Sequence, residues 1–193
     1  MPNRYKMMVP NKKWILNGVF ILAALVLVFT PVGFKVKVFA SKLLSSSAAM
    51  VKEGMKVPLD SYQWKLTDLE NRSFNFEDQR GRIVLVNFWA TWCPPCVAEM
   101  PSMQDLYNDY GDKVTFMFVT SDDRQKVLNF LKRKNLDLPV YYPASETPKT
   151  LKSKLLPTTY IIDKEGKIVV AETGAADWNS SETRELIDGL LSQ

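Results

Sequence analysis

The 193-residue chain contains no histidine, which excludes several kinds of site. Triads with a histidine base, metal sites with histidine ligands and imidazole proton shuttles all need that side chain. Cysteine is nearly as scarce, since Cys93 and Cys96 are the only two. A structural zinc site takes about four Cys or His ligands, and haem attachment needs a histidine where Val97 follows the second cysteine. We therefore expect no metal and no cofactor.

Acidic residues are almost absent from the first part of the chain. Residues 1–58 hold nine of the 25 Lys and Arg residues and one of the 21 acids, Glu53. The rest, residues 59–193, carries 16 bases and 20 acids. That part has no basic stripe to neutralise phosphates, so nucleic acid is not an expected partner.

A long apolar run follows the basic N-terminus. Residues 14–34 contain no charged side chain, and a helix of that length, at about 1.5 Å per residue, spans a bilayer. We predict a transmembrane helix there, with residues 1–13 in the cytoplasm and the lipid bilayer as a partner. The alternative is a signal peptide cleaved at Val38-Phe39-Ala40, but the apolar run exceeds a signal core. Both interpretations place the following domain outside the cytoplasm, on the inner membrane if the anchor is retained.

Residues 35–58 lack a sustained apolar period, which predicts a linker. A solvated tether is the favoured interpretation. The alternative is an interfacial helix over residues 36–44, where lysines interleave with Val, Phe and Leu.

Residues 59–193 alternate between strand and helix patterns. Residues 82–90 and 113–121 are nearly unbroken apolar runs, which are typical of strands buried on both faces. A helix that starts after Pro95 and stops at Gly111 separates them. The other predicted elements are a hairpin over 61–76, a helix from Asp122-Asp123, a hairpin of strands 158–163 and 167–172, and a helix from Asn179 or Ser180 with Glu182 in a capping box. This order predicts an α/β fold: a mixed sheet, helices on both faces and an N-terminal β-hairpin.

The stretch WATWCPPCVAEMP places both cysteines at the junction of a strand and a helix. Cys93 closes the turn and Cys96 lies in the first helical turn, where residues three apart are close enough for a disulfide. The helix N-terminus favours a thiolate at Cys93. Pro94 and Pro95 fit the first turn, but they remove N–H donors that would stabilise the Cys93 thiolate. The pKa of Cys93 should then fall less, which favours a lower reduction potential of the pair and the reduction of other proteins. A structural disulfide across so short a loop would stabilise little, so we predict a redox-active dithiol.

With VNFWATWCPPC and, about sixty residues later, LPTTYIID, residues 59–193 resemble the thioredoxin superfamily. The resemblance is in particular to the membrane-anchored TlpA/ResA-type thiol-disulfide oxidoreductases. It implies a thioredoxin-like fold in which Cys93 is the exposed attacking thiol and Cys96 resolves the mixed disulfide. It also implies a cis bond between Leu156 and Pro157, with Pro157 against the disulfide.

Glu99 follows Cys96 by three residues on the same predicted helix. Thioredoxins proper use a buried Asp on the preceding strand as proton acceptor, but that position is Asn87 here, which cannot titrate. In the ResA-like branch a Glu at this spacing takes part in thiol proton transfer. The resemblance implies that Glu99 is partly buried, has a raised pKa and handles the Cys96 proton. The alternative is a solvated surface Glu favoured by the helix dipole.

Trp92, Pro157, Thr158 and Gly174 are the expected substrate-binding residues. Trp92 would shape the surface beside the thiols, and Gly174 would border the substrate groove. We interpret Trp89 as core, Asp122-Asp123 as a helix start, and Asp177 and Trp178 as part of a plain loop rather than a partner contact.

We therefore expect a membrane-tethered, extracytoplasmic reductase of protein disulfides. By resemblance, its substrates are secreted cysteine-containing proteins such as apocytochrome c, and a membrane dithiol carrier supplies the electrons. Two alternatives on the same fold stay open. A peroxiredoxin-like peroxidase normally needs a Pro as well as a Thr before its cysteine, and only Thr91 is present. A non-enzymatic copper chaperone needs a distal histidine.

Overall fold

The computed structural model describes residues 12–44, 46–47 and 57–193. The chain divides into two compact units, Met1–Lys37 and Val38–Gln193. The helices are α1 (Lys12–Phe29), α2 (Pro31–Leu44), α3 (Pro94–Tyr110), α4 (Arg124–Lys134) and α5 (Ser181–Leu191). The strands are β1 (Ser46–Ser47), β2 (Val57–Pro58), β3 (Lys65–Asp68), β4 (Ser73–Asn75), β5 (Val84–Phe88), β6 (Thr115–Val119), β7 (Val140–Pro143), β8 (Thr158–Ile162), β9 (Lys167–Thr173) and β10 (Ala176–Asp177).

The N-terminal apolar run forms two helices rather than one. Pro31 cannot donate a backbone hydrogen bond, and the hydroxyl of Thr30 donates to the Val26 carbonyl at 2.6 Å. Among the described residues no single helix is long and apolar enough to cross a membrane. The helices over Lys13–Val26 and Pro31–Leu43 pass that test together, across a bend of 76°. The predicted single helix over residues 14–34 is therefore not confirmed.

The predicted linker is helical in its first part. α2 includes residues 36–44, so that segment is helical, as the alternative prediction had it, and its interfacial position stays a prediction. Ser46-Ser47 form β1, which pairs in parallel with β10. Residues 45 and 48–56 of the predicted linker lie outside the described residues.

Eight of the described strands form one mixed sheet in the order β2-β9-β8-β5-β6-β7-β3-β4. β5 and β6 are parallel and joined through α3, as predicted. β8 and β9 form the predicted antiparallel hairpin, and β3 and β4 form the predicted N-terminal hairpin. The thioredoxin-like mixed α/β sheet with flanking helices is therefore confirmed, and β5 lies at its centre.

Strand β7 was not predicted from the sequence. Pro139 precedes it and Pro143 is its last residue, and these prolines interrupt the apolar pattern. β7 pairs in parallel with β6 and antiparallel with β3. It thereby attaches the N-terminal hairpin to the central sheet.

Strand β5 is covered on both faces, and the two faces have different roles. Val84 and Val86 belong to a hydrophobic cluster that includes Trp64 and Phe76. Asn87, fully buried, points to the opposite face because strand side chains alternate. Its amide reaches α3, so the polar site develops on the face that this helix covers.

The N-terminus of α5 differs in one detail from the prediction. Ser180 is the N-cap, and its hydroxyl accepts from the Thr183 N–H at 3.3 Å. The third helical position is thus Thr183, whereas Glu182 stands one residue too early to complete a capping box. The predicted box is wrong, although the predicted helix start is right.

Replacement of Gly166 with alanine should destabilise the fold. Gly166 has φ +80° in the β8–β9 turn, and an added Cβ would lie 2.6 Å from the Tyr62 hydroxyl. The left-handed backbone and the close contact together should lower the unfolding free energy by about 2 kcal/mol. Urea denaturation measures this. The matched control is Gly189→Ala on α5, where no atom beyond the adjacent residues and the backbone of the helix itself lies within 4 Å of the new Cβ and a gain of stability is expected. Equal effects of the two substitutions would contradict the argument.

Candidate active site

Cys93 and Cys96 form a disulfide where α3 begins, with an S–S distance of 2.10 Å and a Cα–Cα distance of 5.3 Å. Cys93 is the N-cap residue of the helix and has an extended backbone. Because Pro94 and Pro95 have no N–H, the first amide that the helix offers belongs to Cys96. That amide donates to the Cys93 Sγ at 3.3 Å. In the reduced protein the same donor and the helix dipole would stabilise a thiolate at Cys93.

The two sulfurs differ in accessibility. Cys93 is 4% exposed and Cys96 is fully buried. Cys93 is thus the more accessible sulfur, which is the order expected if Cys93 attacks and Cys96 resolves. The description of Cys93 as exposed is nevertheless wrong for this structure, since little of it reaches the surface. The neighbouring Trp92 is 65% exposed and supplies an aromatic surface at the site, whereas Trp89 is buried as predicted.

The Leu156–Pro157 peptide bond is cis, as the resemblance implied. Thr158 is paired with Phe88, the last residue of β5. Pro157 therefore lies at the same end of the sheet as the loop that leads from β5 to the cysteines. The Gly174 N–H donates to the Pro157 carbonyl at 3.0 Å. Gly174 has φ +103°, and open space lies where its Cβ would stand. Gly174 therefore borders the proline, while its predicted place beside a substrate groove stays a prediction.

Thr158, named above as an expected substrate-binding residue, is buried. Its side chain is 3% exposed, and its hydroxyl donates to the Leu155 carbonyl at 2.9 Å. The same hydroxyl lies 2.9 Å from the Ser153 hydroxyl. These contacts tie down the loop before Pro157, so the Thr158 side chain is not placed to contact a substrate.

A cavity of about 390 Å³ opens beside Trp92 and is also lined by Leu156 and Asp122. Asp122 accepts hydrogen bonds from the Thr91 N–H, at 3.1 Å, and from the Thr91 hydroxyl. Burial alone would raise the pKa of Asp122, but the hydrogen bonds from Thr91 and the Asp123 amide outweigh it and the pKa is lowered. Asp122 thus fixes the loop before the cysteines, while Asp123 is the N-cap of α4.

Glu99 is buried in the interior, with 1% of its side chain exposed. The Asn87 amide donates to its Oε1 at 2.8 Å. The Trp178 indole N–H donates to its Oε2 at 3.0 Å, and the Ala176 N–H donates to the same oxygen at 3.4 Å. Burial raises the pKa of Glu99 to about 7, although the hydrogen bonds from Trp178, Asn87 and Ala176 act to lower it. The predicted raised pKa is confirmed, the burial is more complete than the partial burial predicted, and the solvated surface Glu is excluded.

The sequence interpretation missed the role of Trp178. Its side chain is fully buried, whereas a plain loop was predicted. A tryptophan combines a large apolar surface with one N–H donor, and four small or acidic residues precede Trp178 after β9. That composition was the available signal that the loop docks on the domain through this residue.

Asn87 connects Glu99 to the neighbouring strand. Its Nδ2 donates to the Glu99 carboxylate and, at 2.8 Å, to the Thr159 hydroxyl. Its Oδ1 is among the few buried polar side-chain atoms of the described residues that have no partner. Within those same ranges, no group of three or more His, Cys, Asp and Glu residues is placed to hold a metal ion.

The sequence model of the Redoxin family matches residues 52–187. A thiol-disulfide oxidoreductase ResA of Bacillus cereus is 34% identical over 145 residues, which cover 74% of this chain and 80% of ResA. The thioredoxin-like protein YneN of Bacillus subtilis is 30% identical over 142 residues, or 72% of this chain and 81% of YneN.

Solved structures resemble the same part of the chain. A DsbF homologue from Corynebacterium diphtheriae has a TM-score of 0.59 at 22% identity and covers 75% of this chain and 94% of its own. A thiol:disulfide interchange protein from Chlorobium tepidum TLS has a TM-score of 0.56 at 22% identity, with 70% and 97% covered. At this level of identity the likeness establishes the thioredoxin-like fold.

Glu99 should make the stability of the domain depend on pH. Its pKa is about 7 in the folded protein against an ordinary 4.5, so the folded state holds the proton more tightly. The stability that this proton provides is complete below the ordinary pKa and is lost as the pH rises through the folded pKa. The loss should reach about 3 kcal/mol near pH 8.

Urea denaturation of the oxidised protein across this range measures the effect. Glu99→Gln cannot ionise and should remove this part of the pH dependence. Rotation of the Asn87 amide would present its unpartnered Oδ1 to the new amide group. A variant profile parallel to that of the wild type would show that Glu99 does not titrate there.

Proposed function

The chain belongs to the Redoxin family and is a thiol-disulfide oxidoreductase of the thioredoxin superfamily, and from this premise we propose that it reduces protein disulfides outside the cytoplasm. The supporting observation is the Cys93–Cys96 disulfide at the start of α3, with Cys93 the more accessible sulfur. The proposed substrate-binding residues are Trp92, which is exposed, Pro157, whose peptide bond with Leu156 is cis, and Gly174, whose N–H donates to the Pro157 carbonyl.

The proposed reaction transfers two electrons from the reduced pair to a substrate disulfide. The Cys93 thiolate attacks one substrate sulfur, an S–S bond forms between them, and the other substrate sulfur leaves as a thiolate. Cys96, once deprotonated, attacks the Cys93 Sγ. The Cys93–Cys96 bond forms and the second substrate sulfur leaves, so the substrate ends with two thiols and the protein with a disulfide.

The second step needs a base, because the buried Cys96 cannot give its proton directly to bulk water. Glu99 lies one helical turn beyond Cys96 on α3 and is itself buried. With a pKa of about 7, its carboxylate can accept a proton near neutral pH and release it again. We assign Glu99 this role in the resolving step.

The N-terminal helices support tethering to a membrane. We propose that the apolar run over residues 14–34 anchors the chain in the inner membrane, with residues 1–13 inside and the domain facing the periplasm or the outside. No thiol pool exists there, so a membrane dithiol carrier would have to reduce the Cys93–Cys96 disulfide again. Secreted cysteine-containing proteins, apocytochrome c among them, are the proposed substrates.

Substitution of the two cysteines should separate the two steps. Cys93→Ser removes the attacking thiolate and should abolish the reduction of insulin disulfides. Cys96→Ser should instead stop the reaction at a covalent mixed disulfide, visible as an adduct in non-reducing electrophoresis and mass spectrometry. The double variant is the control and should form no adduct. Reductase activity in Cys93→Ser would disprove the assignment of the attacking thiol.

Glu99→Gln should slow the resolving step and leave the first step unchanged. Loss of a general base typically costs about 100-fold or more in rate. Single-turnover release of a labelled peptide from the mixed disulfide, measured near neutral pH, isolates this step. The matched control is Glu185→Gln on α5, where the carboxyl is exposed. Equal release rates in the two variants would refute the assigned role of Glu99.

A further inference from the structure

We propose that Trp178 is a positioning residue that fixes the orientation of the Glu99 carboxyl group and places the exchanged proton on one of its two oxygens. The proposal deepens the proposed function, since it concerns the base assigned to the resolving step. It rests on the hydrogen-bond geometry around Glu99 and on the way the loop over residues 174–178 is attached to α3.

The donors around Glu99 are distributed unequally between its oxygens. Trp178 and Ala176 both donate to Oε2, at 3.0 and 3.4 Å. An indole N–H can only donate, and a carbonyl-type oxygen is a better acceptor than a hydroxyl oxygen, so the two donors on Oε2 favour that oxygen without a proton. The proton of the neutral acid is therefore favoured on Oε1, the oxygen that faces Asn87 and whose single donor can rotate away.

The Asn87 amide can change its hydrogen bond when Glu99 takes up a proton. In the present arrangement its Nδ2 faces Oε1 and its Oδ1 has no partner. A proton on Oε1 would find an acceptor if the amide rotated to present Oδ1. Trp178 thus determines which oxygen exchanges the proton, and Asn87 can contact that oxygen in either protonation state.

The loop that carries Trp178 is bound to α3 at a second point. The backbone N–H of Trp178 donates to the Ser102 hydroxyl at 3.2 Å, and that hydroxyl donates to the backbone carbonyl of Glu99 at 2.8 Å. Ser102 therefore links the backbone of Trp178 to the backbone of Glu99. Trp178 and Glu99 are therefore connected twice, once between their side chains and once between their backbones through Ser102.

The groups that donate hydrogen bonds to the Glu99 carboxyl are neutral. The charged groups nearby are Glu172, Asp177 and Asp105, with Lys42 lining the cavity beside Ala98 and Ala176. Glu172 on β9 raises the pKa of Glu99 through its charge. On α3 the titratable neighbours are Cys96 and Cys93, which cannot ionise while they form the disulfide. Asn87 on β5 is neutral, and the Asp177 carboxylate of the loop accepts from the Asn179 N–H. The Trp178 donor acts against burial and Glu172 by favouring the charged carboxylate.

The test is a titration of the Glu99 carboxyl by carbon-13 NMR in the oxidised full-length chain, where the cysteines do not titrate. Trp178→Phe removes one hydrogen bond to the carboxylate, so the midpoint should rise by about one pH unit. The controls are Trp64→Phe and Trp89→Phe. Both residues are buried like Trp178, but their indole N–H groups have no partner. These two variants should leave the midpoint where it is in the wild type.

A second measurement separates positioning from general packing. In the reduced protein, Trp178→Phe should shift the pH profile of the resolving step upward, and the shift should vanish in the Glu99→Gln background. An unchanged midpoint in Trp178→Phe, or an equal shift in Trp89→Phe, would overturn the proposal.

The wild type provides a readout if Trp178→Phe does not fold. The indole N–H resonance of Trp178, identified by sequential assignment, should move with pH at the Glu99 midpoint and stay constant in Glu99→Gln. A resonance that does not move would overturn the inference. A chain that lacks Cys93-dependent reductase activity would instead refute the proposed function, while the Glu99 and Trp178 titrations would remain measurable.

Discussion

The site depends on a carboxyl group that the fold keeps out of water. An ionised carboxylate in an apolar interior is costly, and the usual responses are proton uptake, hydrogen bonding or both. Glu99 shows both, since its pKa is raised to about 7 and both its oxygens accept hydrogen bonds. Because burial outweighs the hydrogen bonds by just enough to bring the pKa close to neutrality, small changes around the carboxyl decide whether it holds a proton there.

The sheet topology explains why such a group can stand next to a disulfide. β5 is central and ends at Phe88, so the loop that follows delivers Cys93 to the start of α3. The same strand presents Asn87 to the face covered by that helix. The cysteine pair and the buried Glu99 are thus held by one strand and one helix.

Much of this arrangement could be predicted from the sequence because its signals are local. The CPPC stretch after an apolar run indicates the dithiol at a helix start, and the resemblance adds the cis bond before Pro157. β7 could not be predicted, because Pro139 and Pro143 interrupt its apolar pattern. The strand forms through its pairing with β3 and β6, which the local sequence does not indicate. The break between α1 and α2 follows from Pro31, which length and hydropathy alone do not weigh.

The contacts of Glu99 illustrate the limit more clearly. A glutamate three residues after Cys96 is visible in the sequence, but its partners are not. Asn87 stands 12 residues before it and Trp178 stands 79 residues after it. No local pattern connects positions so far apart, and Thr158 was misjudged for the same reason, because strand pairing determines where its hydroxyl points.

The long separation between Glu99 and Trp178 has a consequence for biosynthesis. The chain is made from its N-terminus, so both cysteines and Glu99 leave the ribosome long before the segment that contains Ala176 and Trp178. Until that segment is added, the nascent polypeptide lacks two of the donors that surround the carboxyl group. The thiols are therefore present early, but the hydrogen bonds around the Glu99 carboxyl are completed only after the 79 further residues up to Trp178 have been added.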